Sequence, residues 1–214
     1  LTEHLISVHN YKHICYLGCK TESYFSDKRA QAFRDVMIQH GYTIGDHDMF
    51  DTTITEEGVR EAFDYFCEGS DKLPEAVVCY NDKMALLFTV IAIRKGYRIP
   101  EDIALVGCDA LPEGQNMTAP LTTVSFPTYQ LGAESVKQLF KLMHNTPIPE
   151  CTNVFAEPVL GGSCGCRTTS HSNYILYGHQ VLNRIQNLEG SIYTSMRMSA
   201  ALSPVTDIAE GMDL

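Results

Sequence analysis

"EAVVCYNDKMALLFTVIAIRKGYRIPEDIALVGCDA", Glu75 to Ala110, reads as strand, helix, strand. "AVVCY" is a continuous apolar run, the pattern of a strand covered on both faces. The next segment opens on Asn81 or Asp82 as a helix cap and stops at Gly96. Pro100, Glu101 and Asp102 then mark a turn into a second apolar run, "IALVGC", which delivers Asp109 at its tip. The spacing predicts two parallel strands joined by a crossover helix.

Working outward, the same unit repeats. "HICYLG" is a β-run, followed by a polar loop and the helical segment "SDKRAQAFRDVMIQHG", with Ala30, Phe33, Val36 and Met37 on one face, Ser26 or Asp27 as cap and Gly41 as stop. "DTTITEEGVREAFDYFCEG" predicts another helix, with Thr53 and Glu56 spaced as a capping box and Val59, Ala62, Phe63 and Phe66 as its buried stripe. After Asp109 come a turn-rich loop, a short strand "LTTVSF", an amphipathic helix in "TYQLGAESVKQLFKLMH" and a last strand in "NVFAEPVL". The fold class is therefore α/β, a parallel sheet flanked by helices. From Tyr174 the composition changes, and Val181, Ile185, Leu188 and Ile192 form a coiled-coil-like seam of under two heptads. A helical tail follows from residue 167 to 214, packing either on a partner helix or on the chain's own domain.

A formal charge of −10, from 16 basic and 26 acidic residues, argues against a general grip on nucleic-acid phosphates. No apolar run approaches membrane-spanning length, and "LTEHLISVHN" lacks the order of a signal peptide. Several of the eight cysteines sit inside apolar runs, which favours buried thiols in a reducing cytoplasm over disulfides.

Little supports enzyme chemistry. "GGSCG" formally matches a nucleophile elbow around Ser163, but "RTTSHSN" after it shows no helical stripe. Cys164 and Cys166 form a C-x-C without a partner pair at ligand spacing, so no metal is expected. His171 and His179 lie nearby without a pattern. No phosphate-binding glycine loop is present, and no cofactor is expected.

What remains are polar residues where strands end. Ligands of open parallel sheets bind beyond the carboxyl ends of the strands. Asn81 and Asp82 follow one strand, Asp109 another, and Arg29 lies in the first turn of the helix after "HICYLG". An amide, a carboxylate and a guanidinium suit the hydroxyls of a small polyol or sugar. The plainer alternative is that Asn81 and Asp82 only cap a helix and Arg29 only pairs with Asp27 or a neighbouring acid.

The order of these elements resembles the effector-binding domain of the lactose and galactose repressor family. N-D-x-M-A, G-x-x-I-P-E-D-I and P-L-T-T-V occur in "NDKMA", "GYRIPEDI" and "PLTTV", and "EHLISVHNYKHICYLG" and "SDKRAQAF" look like earlier landmarks of that family. The resemblance covers residues 3 to 166. It implies a periplasmic-binding-protein-like fold of two lobes joined by three crossovers, with a small polar ligand, a sugar or a nucleobase, in the cleft.

Position by position, Arg29 matches the family's ligand-binding arginine of R-x-x-G-F, with Ala32 in place of glycine. Asn81 matches the ligand-contacting asparagine, and Asp109 matches the acid after the last strand, with Cys108 replacing an aromatic. Thr53, or its neighbour Asp51, lies near where an aromatic often stacks on the sugar, a role open to Phe50 or Phe126. The expected ligand-binding set is thus Arg29, Asn81, Asp82, Asp109, Thr53 and Phe126.

The family layout also implies that essentially one lobe is present. Residues 11–166 would form it, with residues 1–10 a remnant of the other lobe and the helix at 128–144 packing on that lobe. DNA would be contacted only through a domain outside this chain. A homodimer, cytoplasmic and away from membranes, is expected, controlling transcription or a fused signalling output beyond the tail. A periplasmic solute-binding protein is the alternative.

Overall fold

The computed structural model describes residues 1–21, 23–67 and 72–167. In chain order its elements are α1 (Thr2–Ser7), β1 (Ile14–Cys19), α2 (Tyr24–Gln39), β2 (Met49–Thr52), α3 (Glu56–Cys67), β3 (Ala76–Cys79), α4 (Asp82–Arg94), β4 (Ala104–Val106), α5 (Pro112–Gln115), β5 (Thr123–Ser125), α6 (Thr128–Met143) and β6 (Glu157–Val159). Four parallel strands lie in the order β2-β1-β3-β4, and β5 pairs antiparallel with β6. Thr122 bridges Val106 in parallel, so the start of β5 runs beside the end of β4.

The continuous apolar runs are explained by cover on both faces. On one side Cys15, Leu17, Val77, Cys79 and Leu105 pack against Val59, Phe63 and Phe66 of α3 and Met84 and Phe88 of α4. On the other, Ile14, Tyr16, Ala76, Ala104 and Val106 pack against Phe33 and Met37 of α2 and Leu5 and Ile6 of α1. Alternate strand residues thus serve two cores, and Cys15, Cys19 and Cys79 are buried apolar thiols within them.

Several local expectations are corrected. Helix α2 starts a turn earlier than read: Ser23 accepts from the Phe25 N–H and caps it, while the Ser26 hydroxyl donates to the Cys19 carbonyl at 2.9 Å. Thr53 does not cap α3. Thr55 does, accepting from the Gly58 N–H at 3.2 Å, and Glu56 pairs instead with Arg94. Strand β2 escaped the reading because it is an edge strand with only Thr52 fully buried.

Residues 1–10, expected to belong to another lobe, are built into this one, with Leu5 wholly buried in its core. Helix α6 behaves oppositely. None of its residues is buried, and Tyr129, Val136, Phe140 and Met143 are each more than 60 % exposed. The tail seam at Val181, Ile185, Leu188 and Ile192 lies outside the described residues.

The turn into β4 is fixed by charge. Arg98 donates from Nε and Nη2 to the two carboxylate oxygens of Asp102 at 2.9 and 2.8 Å, and its backbone N–H adds a third bond. This holds Asp102 well below the usual carboxylate range, at about 2.

Candidate ligand-binding cleft

In a sheet ordered β2-β1-β3-β4 the connections leave β1 and β3 in opposite directions, opening a crevice at their carboxyl ends. Arg29, on the helix that follows β1, reaches across that crevice. Its Nη1 donates to the Tyr80 carbonyl, just past β3, at 2.6 Å, and its Nη2 lies 3.5 Å from an Asp109 carboxylate oxygen beyond β4. The guanidinium carbon stands 4.6 Å from the centre of the Tyr80 ring and 5.7 Å from that of Phe126. One cation therefore gathers the tips of three connections, and Asp27 is not its partner.

Beneath Arg29 is a cavity of about 280 Å³, with Tyr16, Phe33, Val78, Tyr80 and Cys108 among its walls. The Tyr16 hydroxyl is buried there and has no hydrogen-bond partner among the described residues. A buried hydroxyl in that state lacks a bond worth on the order of 1 kcal/mol or more. Burial pushes the Cys108 thiol up to about 11, so it stays protonated at neutral pH.

Asp109 sits in strained backbone. Its φ is 123°, that of Ala110 is 51°, and neither is glycine. Such conformations cost about 1–3 kcal/mol each and persist where surroundings impose them. Here the Asp109 N–H donates to the Val124 carbonyl and the Ala110 N–H to Thr123 Oγ1. Desolvation raises the Asp109 carboxyl above its ordinary value against the opposing pull of Arg29.

Asp82 supports that loop rather than opening toward it. It is fully buried, accepts from Thr123 Oγ1 at 2.5 Å and from the Leu111 N–H at 2.7 Å, and donates its own N–H to the Cys108 carbonyl. Burial raises its carboxyl despite those bonds. Gly107 is required by this approach, since a Cβ there would lie 2.3 Å from Asp82 Oδ1. Asn81 caps α4, accepting from the Met84 N–H at 3.0 Å.

Thr53 follows β2, at the sheet's edge, and its hydroxyl bonds Thr55. Phe50 packs on Tyr65 and Phe66 in the core, which leaves Phe126, 45 % exposed, as the aromatic at the cleft. The structure thus brings together Arg29, Asp109 and Phe126, and sets Asn81, Asp82 and Thr53 in supporting or separate positions. Tyr80 and Tyr16 were missed. Tyr80 was legible, as the residue between a buried strand and a capping asparagine; the orphaned hydroxyl of Tyr16 was not.

Ser163 cannot act as a nucleophile in this arrangement. It is fully buried, donates to the Leu105 carbonyl at 2.6 Å and accepts from the Thr122 N–H at 2.8 Å. Among the described residues, donors close enough to share a metal ion are His4, His9, Cys164 and Cys166, and separately His13, Cys15 and Asp48; none belongs to the Arg29 group. No helix among these residues is long and apolar enough to cross a membrane.

Comparison with known proteins identifies the family and the fold. Residues 2–164 match the periplasmic binding protein-like domain family. The chain is 28 % identical over 155 residues to the HTH-type transcriptional regulator GalR of Escherichia coli K12, covering 72 % of this chain and 45 % of that protein. It is 32 % identical over 114 residues to the HTH-type transcriptional repressor PurR of Vibrio cholerae, covering 53 % and 34 % respectively. It therefore spans less than half the length of either.

A sugar-binding LacI-family regulator from Escherichia coli, solved with phosphate, superposes with a TM-score of 0.68 at 19 % identity over 76 % of this chain and 59 % of that one. The regulator CelR in complex with cellobiose gives 0.66 at 21 %, covering 76 % and 49 %. These show the fold. The chain belongs to the periplasmic binding protein-like domain family, and it is similar in sequence and fold to regulators of the lactose and galactose repressor type.

Proposed function

We propose that this chain is one lobe of a cytoplasmic, non-enzymatic sensor that binds a small hydroxylated molecule, sugar-like in its chemistry, and passes its presence to a regulatory output. The observation that carries this reading is Arg29 spanning the crevice between β1 and β3, ion-paired to Asp109 and flanked by the rings of Tyr80 and Phe126. A guanidinium has five N–H donors, a carboxylate only acceptors, and an aromatic ring offers a flat apolar face. Together they match the alternating hydroxyls and C–H faces of a sugar ring.

In the intact protein a second lobe would complete the cleft. Ligand bound between the lobes would favour the closed state by its differential contacts, bending the chain at the connections around Gln115 to Phe126 and biasing a homodimer. Transcription is the favoured output, through a DNA-binding domain outside this chain; GalR and PurR are regulators of that kind by name. A fused signalling domain after the tail would respond to the same closure.

Calorimetry of the intact protein against mono- and disaccharides and nucleobases tests the reading. A ligand should emerge whose affinity falls about 10–100-fold on Arg29→Ala, the loss of a charge-assisted hydrogen bond of about 1.5–3 kcal/mol. Equal affinity for wild type, Arg29→Ala and Asp109→Ala would refute the site.

A further inference from the structure

Four side chains from opposite ends of the described residues converge on one point. His4 Nε2 lies 3.2 Å from His9 Nε2, 3.3 Å from Cys166 Sγ and 3.6 Å from Cys164 Sγ, while Cys166 Sγ is 3.4 Å from His9 Nε2. All four donor atoms fall within 4.8 Å of one another. Hydrogen bonding does not account for this. A ring nitrogen has one direction of bonding, as either donor or acceptor, yet His4 Nε2 faces three polar atoms.

A tetrahedral ion does account for it. With Zn–S near ~2.3 Å and Zn–N near ~2.05 Å, ligand atoms at tetrahedral angles are about 3.3 Å apart for two nitrogens and about 3.5 Å for nitrogen and sulfur. The observed separations match both values. We propose that His4, His9, Cys164 and Cys166 form a Cys₂His₂ zinc site.

Local structure prepares it. Helix α1 presents His4; the left-handed Asn10, at φ 57°, turns the chain just after His9. The His9 ring stacks on Tyr11, whose hydroxyl donates to the Cys164 carbonyl at 3.3 Å. Gly165, at φ 98°, separates the two cysteines, and a Cβ there would meet Tyr11 and His9 at 3.0 and 3.4 Å.

Metal binding needs neutral imidazoles and deprotonated thiols, so binding would release protons. Four protein donors leave no open position, the mark of a structural rather than a catalytic zinc. The ion would tie the first helix of the lobe to its last described turn, next to the point where the tail begins.

The test is elemental analysis of the reduced, purified protein after exchange with zinc and dialysis, with cobalt substitution as the spectroscopic probe. One zinc per chain is expected, together with intense visible bands and thiolate charge transfer from tetrahedral cobalt. Cys166→Ser and His9→Gln should each lose stoichiometric metal, while Cys151→Ser, at an exposed thiol, retains it. In chelator, wild type and both variants should melt together; zinc should raise only the wild-type midpoint, separating loss of the ion from loss of the fold. A folded wild type that retains no zinc and gives no tetrahedral cobalt spectrum overturns the site, as does full retention by the Cys166→Ser, His9→Gln double variant.

Discussion

Removing the Asp82 carboxylate tests the architecture beneath the cleft. Asp82→Ala leaves the Thr123 hydroxyl and the Leu111 N–H without their acceptor, in a setting where Asp82 and Thr123 are fully buried. Two bonds to a charged acceptor are worth about 1.5–3 kcal/mol each. Part of that is offset, because burial already disfavours the ionised carboxylate, as its raised pKa shows. A net loss of about 2–4 kcal/mol follows, below the ~5–15 kcal/mol of a typical domain, so the variant should still fold.

Urea unfolding followed by far-UV circular dichroism should show the midpoint falling by about 1–2 M at an m-value of ~2 kcal/mol/M. Thr123→Val shares one of the two bonds. A double-mutant cycle with Asp82→Ala should therefore give a coupling on the order of 1 kcal/mol. The consequence reaches the site: without Asp82 the segment from Asp109 to Leu111 loses an anchor holding two residues at positive φ. A midpoint within ~0.3 M of wild type, with additive single mutants, would refute the claim that Asp82 is a structural lock.

Gly107→Ala should cost about 1–3 kcal/mol by overpacking, since its Cβ would sit 2.3 Å from Asp82 Oδ1, and thermal melts would show it. Asp109 has a raised carboxyl, so the native state holds its proton more tightly than the unfolded chain does. Its contribution is full below the unfolded value of ~4 and is lost as pH rises through the folded one; relative to Asp109→Asn, wild-type stability should fall over that window in a pH series of melts. On α6, Phe140→Lys and Leu139→Lys change side chains 63 % and 57 % exposed, so the melting temperature should hold while light scattering reports less self-association.

The fold was legible where chain chemistry is local. Val59, Ala62, Phe63 and Phe66 recur at helical spacing and are all buried; Asn81 stands before α4 and caps it. Legibility failed where long-range packing decides. β2 is an edge strand whose "MFDT" has no apolar run to announce it, and residues 1–10, which the family layout assigns to another lobe, place Leu5 and Ile6 in the same core as Phe33. Gly107 lies inside the run "IALVGC" with nothing local to mark it, and in space it makes room for the Asp82 carboxylate.

The site divides along the same line. Residue type and position at strand ends singled out Arg29 and Asp109, because parallel topology forces those ends together whatever the loops do. Nothing local distinguished Asp82 from Asn81, though one bonds the loop beyond β4 and the other caps its own helix. Both acids near the cleft carry raised carboxyl values, yet only Asp109 faces a cation that a ligand would share. A raised pKa alone therefore does not single out the candidate binding carboxylate. The discriminating property is what remains unsatisfied: Asp82 is bonded within the protein by Thr123 and Leu111, whereas Arg29 has N–H donors beyond those that reach Tyr80 and Asp109, and the proposed ligand would use them.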